Sequence, residues 1–112
     1  MTEPDALLRY RSNLQGEVDG AAIYAALAES EADPKLAEVF RRLAAVEAAH
    51  GDFWRRRIEA NGANFRPSPS ARAHILAWLA RRFGPAFVLP TLAANETRDS
   101  AAYDDQPEAR EA

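Results

Sequence analysis

Glu47 and His50 stand one helical turn apart in "VEAAHGDFW", residues 46–54, within a stretch whose spacing otherwise reads as the apolar face of a long helix. Leu36, Phe40, Leu43, Glu47, His50 and Trp54 follow one another in steps of four and three, which places all six on one inward stripe. A second stripe, Leu7, Tyr10, Leu14, Glu17, Ala21, Tyr24 and Ala28, carries Glu17 in a core position of the same kind. Burying a lone carboxylate is costly, and pairing or metal coordination normally offsets that cost. Neither stripe supplies an inward Lys or Arg as the partner. Two carboxylates and an imidazole on facing helices therefore read as metal ligands, Glu17, Glu47 and His50, with the oxygen and imidazole donors that suit iron or manganese.

Plainer readings stand beside this one. A Glu-x-x-His pair alone is a weak signal, because Glu47 and His50 could form a half-exposed salt bridge across one turn of a helix surface. The inward stripe, with Glu17 opposite, weighs against that. Tyr24 alone reads equally well as a core aromatic with a satisfied hydroxyl. His74, in "SARAHILAW", has no acidic partner at ligand spacing and reads as structural or exposed, and the arginine run in "FWRRRIEA" reads as a solvated face.

The elements that must hold these residues are legible from their stop and start signals. Thr2 can cap a first helix with Glu3 and Pro4 in its opening positions, and the helix runs to about Glu31. "ADP" breaks the chain, and Asp33 and Pro34 start a second helix that ends at Asn61-Gly62, with Gly51 tolerated inside it. Two long helices joined by a short break form an antiparallel hairpin. After "GANFRPSPS", Ser68 or Ser70 caps a third helix that ends at Gly84, and Pro85 starts a fourth, kinked near Pro90. Sustained period-two alternation is absent, so the fold class is all-α.

The 112 residues, 47% hydrophobic and 28% charged, fit one soluble domain, 1–112. Residues 1–62 form the metal-binding hairpin, and 68–104 begin a second half. The 14 basic and 17 acidic residues are interspersed, so the phosphate-neutralising stripe of a nucleic-acid binder is missing. The absence of cysteine excludes disulfides, zinc-thiolate sites, iron-sulfur clusters and thiol nucleophiles. The N-terminus lacks the charge and hydropathy pattern of a secretory signal, and apolar runs long enough to cross a bilayer are also missing. A cytoplasmic location is the expectation.

"LQGEVDGAAIYAALAE" followed by "LAEVFRRLAAVEAAHGDFW" resembles the first helix pair of the ferritin-like, rubrerythrin-type di-iron proteins, in which a Glu with a Tyr seven residues on precedes a helix carrying Glu-x-x-His. The resemblance covers residues from about 8 to 60. "NETRDSAAY" repeats the first motif, with Glu96 and Tyr103 each 79 residues beyond Glu17 and Tyr24, and looks like the third helix of the same duplicated fold. More narrowly, the loop after the second helix and the segment that follows it, residues 62–104, are similar to the rubrerythrin-like domain that some bacteria attach to a vacuolar-iron-transporter-type membrane domain. The repeat puts a second Glu-x-x-His at about 126 and 129, beyond Ala112.

The resemblance implies a non-haem di-iron centre, with Mn as the other candidate metal, built from four carboxylates and two imidazoles. Glu17, Glu47, His50 and Glu96 are its implied ligands here, and Tyr24 would hydrogen-bond a ligand or lie in the electron path. One chain is short by a carboxylate and an imidazole. A symmetric homodimer, or a larger homo-oligomer, would complete a four-helix bundle by doubling Glu17, Glu47 and His50; the alternative is that the sequence is a fragment of a longer protein. The implied activity is that of a ferroxidase in iron storage, export or detoxification. The rivals are iron sensing or delivery without turnover, as in a soluble domain of a membrane iron transporter, and a metal-free helical dimerisation module.

Overall fold

Helix boundaries fall where side chains can satisfy the unpaired backbone groups of helix ends. The computed structural model describes the backbone of residues 3–104 and the side chains of residues 5–94. It contains α1 (Glu3–Ser30), α2 (Pro34–Ala60), α3 (Ala71–Phe83) and α4 (Pro85–Asp104), with no strand among the described residues. Asp33 caps α2 by accepting a hydrogen bond from the Lys35 backbone N–H at 3.0 Å, and Pro34 occupies the first position, where no N–H is needed. At the other end Gly62, at φ +80°, lets its own N–H and that of Ala63 turn back to the carbonyls of Glu59 and Ile58.

Three residues between α1 and α2 force the chain to reverse, and the two helices pack along their length as an antiparallel hairpin. α3 packs on α1 and α4 on α3, so α1 is the central helix. This explains why Ile23, Ala26 and Leu27 of α1 are almost fully buried although they lie off the stripe that faces α2.

Asp19 holds α3 in place. Its carboxylate accepts from the Ser70 N–H (2.8 Å), the Ser70 hydroxyl (2.7 Å) and the Gln15 side-chain amide (2.9 Å). Ser70 Oγ in turn accepts from the Ala73 N–H as the cap of α3. Gln15 also donates to the Ser68 carbonyl, so the middle of α1 anchors the segment that leads into α3.

The core has two apolar clusters. One joins Tyr10 and Leu14 of α1 to Trp54 and Ile58 of α2, with the Tyr10 and Trp54 rings stacked at 5.5 Å. The other gathers Ile23, Tyr24 and Leu27, Phe40 of α2, and residues of α3 and α4 including Leu76 and Val88. Between them lie residues 17–21 of α1 and 47–51 of α2.

The inward stripe of α2 differs from the expected one by a single residue step. Leu36 and Leu43 are exposed; Ala37, Phe40, Ala44, Glu47, Gly51, Trp54 and Ile58 form the face packed on α1. The stripe keeps its steps of three and four but selects small residues at three of seven places. Small residues there leave room for side chains of α1, as at Gly51, which Leu14 and Glu17 approach. The larger Leu36, Val39, Leu43 and Val46 are left as an exposed apolar row, 37–48% accessible. A second exposed group, Ile75, Trp78, Phe83 and Phe87, lies on α3 and α4, its rings in edge and tilted contact.

Replacing Asp19 by Ala leaves the Ser70 N–H and hydroxyl without their acceptor. The expected outcome in thermal or urea unfolding is a loss of about 1–2 kcal/mol, with helical content by circular dichroism unchanged below the transition.

Candidate metal centre

The layer between the two apolar clusters is polar. Glu17 is buried, 7% exposed, flanked along α1 by Leu14 one turn before and Ala21 one turn after. Its Oε1 lies 3.6 Å from Nδ1 of His50 across the hairpin. That separation is longer than a hydrogen bond. It falls within the roughly 3–4 Å expected between two donors that each stand about 2.1 Å from one transition-metal ion. Glu17 and His50 thus offer one oxygen and one imidazole donor at a spacing that a single metal ion would span, and His50 is partly open to solvent.

Glu47 enters the seam one turn further along. Its carboxylate rests against Gly20 of α1, where a Cβ would lie 3.0 Å from Oε2. Gly51, the step nearest His50, lets Glu17 and Leu14 approach α2: a Cβ there would be 3.7 and 3.5 Å from them, an ordinary contact. Glu47 is therefore on the inward face, as expected, while His50 sits at the boundary between that face and the exposed row. Both are half-buried.

Tyr24 is buried four residues beyond Gly20, its ring 6.5 Å from that of Phe40. It is part of the second apolar cluster and overlooks the Glu47 level from one turn away. Glu96 lies on α4, and its side chain, like that of Tyr103, is outside the described residues. His74 is exposed, as expected. The arginine run is only in part a solvated face: Arg57 lies over the rings of Tyr10 and Phe53 at 6.0 and 5.7 Å, and Arg55 pairs with Asp52 at 2.9 Å.

Among the described residues, no group of three or more His, Asp or Glu side chains is close enough to hold a metal ion. One hairpin brings Glu17 and His50 together, and the Glu47 carboxylate lies at Gly20. An open cleft of about 280 Å³ reaches Glu17 and Glu47 from the side of the connecting segment, lined also by Asp52, Arg55, Phe65 and Arg66.

Asp19, Gly20 and Gly51 were not singled out as site-building residues from sequence. Gly20 had a readable signal: a glycine inside "GAAIYAALA" weakens an otherwise strong helix former and marks a close approach. Asp19 had none, because its partner Ser70 lies 51 residues away.

The long helical hairpin with a carboxylate on each arm and Glu-x-x-His on the second defines an all-α protein of ferritin-like type. The sequence model of the rubrerythrin family matches residues 11–77, well over half of the chain, and the chain belongs to that family. Proteins of this family typically bind iron at a di-iron centre. Neither the curated proteins nor the solved structures contain a match to this chain. Among the described residues no helix is long and apolar enough to cross a membrane.

Proposed function

We propose that two copies of the chain assemble a non-haem di-iron centre between their hairpins and use it to oxidise Fe²⁺. The observation that carries this reading is the buried Glu17 carboxylate facing His50 Nδ1 at 3.6 Å, in a family whose members bind iron. Glu17 and Glu47 would bind or bridge the ions and His50 would end the coordination. Bound there, each Fe²⁺ would give up one electron, two per pair of ions, to dioxygen or peroxide as the acceptor. The chain's own part is to hold carboxylate and imidazole at fixed spacing, to keep the layer walled by Trp54 and Phe40 clusters above and below, and to leave the cleft open for Fe²⁺. Tyr24 stands one turn from the Glu47 level, within reach of an electron or hydrogen-bonding role. Mn²⁺ uses the same donor types.

Support for assembly comes from the exposed row on α2. Leu36, Val39, Leu43 and Val46 step by three and four, and the next step along that row is His50. A second hairpin seated on it would cover apolar surface and bring its own Glu17, Glu47 and His50 to the same level, making up four carboxylates and two imidazoles by two-fold symmetry. Four negative charges then offset two Fe²⁺ ions. The same row would serve a metal-free dimerisation module, which makes metal binding the deciding measurement.

Anaerobic titration with Fe²⁺, read by native mass spectrometry, should give about one iron per chain in a dimer, and Glu47→Ala should abolish it. A dimer that takes up no iron would leave only the dimerisation reading. Admitting air should then produce rapid ferric absorbance; Fe²⁺ that persists in air would instead favour sensing or delivery without turnover.

Placing charge on the α2 row tests the assembly. Leu43→Glu with Val46→Glu should yield a monomer by sedimentation velocity, with helicity kept and iron uptake lost together with the dimer.

A further inference from the structure

Three glycines lie inside the helices of the hairpin, and they differ in what surrounds them. A Cβ on Gly16 would meet nothing within 4 Å, and one on Gly51 would make ordinary contact with Leu14. At Gly20 it would lie 3.0 Å from Oε2, 3.1 Å from Cδ and 3.4 Å from Cγ of Glu47. The space that a side chain would fill at residue 20 is thus filled from the opposite helix by a carboxylate.

We propose that Gly20 is a positioning residue, whose missing side chain is the seat that sets how deep the Glu47 carboxylate enters the seam between α1 and α2. Glycine inside a helix costs backbone entropy that alanine does not, so α1 is weakened at this point. The site recovers a fixed carboxylate position. Binding constellations tolerate displacements of only about 0.5 Å, and a methyl group at residue 20 pushes the Glu47 carboxylate outward by a few tenths of an ångström or tilts it away from the Glu17 level. The proposal rests on the reading of Glu17, Glu47 and His50 as ligands for its consequence on metal, but the seat itself is a property of the metal-free protein.

Gly20→Ala and Gly16→Ala add the same methyl group to the same helix one turn apart. With Fe²⁺ added anaerobically and binding followed by calorimetry, Gly20→Ala should weaken affinity by about tenfold or more, and Gly16→Ala should leave it unchanged. Equal affinities, or an equal loss in both variants, would overturn the proposal. Metal-free melting gives an independent readout. Gly16→Ala should raise the melting temperature more than Gly20→Ala does, and adding Glu47→Ala should restore to Gly20→Ala the full gain, because the competing carboxylate is gone. A gain at residue 20 that is the same with and without Glu47 overturns the seat whatever the metal result. If the unchanged protein binds no Fe²⁺ while this coupling is present, the metal reading fails and the seat stands.

Discussion

A carboxylate buried between two apolar clusters is the constraint on which the rest of the structure depends. Glu17 cannot leave the layer without turning α1 about its axis, which would expose Tyr10, Leu14 and Tyr24 on the same stripe. The clusters on either side, one built on Trp54 and the other on Phe40, hold the hairpin in register and so hold Glu17 opposite His50. Apolar burial stabilises the arrangement and the acid is carried along with it. Burying a carboxylate is costly, and the imidazole of His50 across the hairpin is the group that faces it.

The approach of the two helices is set by small residues. Ala37, Ala44 and Gly51 line the α2 side and Gly20 opens the α1 side, so side chains of the facing helix fill the seam where the carboxylates lie. One consequence is that Leu36 and Leu43 turn outward. The features that make the inner seam tight therefore also create the outer apolar row, and His50, between the two, belongs to both. Inner site and outer surface are linked by the geometry of one helix.

The organisation of the chain was legible in local signals. Asp33 and Pro34 at the start of α2, Gly62 at its end, Ser70 before α3 and the Gly84-Pro85 junction all act within a few residues of themselves, and each appears in the structure where its chemistry requires. On α1 the expected stripe is buried at Tyr10, Leu14, Glu17, Tyr24 and Ala28, and the burial of Ile23, Ala26 and Leu27 beside it comes from α3, which no spacing within α1 foretells. On α2 the large residues and the buried ones do not coincide. Leu36 and Ala37, or Leu43 and Ala44, are neighbours, and hydrophobicity alone assigns the larger of each pair to the core. Which one enters depends on how near α1 comes, a quantity that no single helix encodes. The inward position of Glu47 followed from either assignment, but the half-exposed setting of His50 did not.

Residue types and spacing by themselves determined that this is an all-α chain with a long hairpin, and that Glu17 and Glu47 lie on its inward faces, since helical periodicity and capping are local physics. Tertiary structure alone decided the rest. It seated the Glu47 carboxylate on Gly20, tied Asp19 to Ser70 across 51 residues, and chose alanine over leucine for the α2 seam. These outcomes turn on the distance between helices, which is set by steric fit summed over the whole interface and not by any one residue's preference.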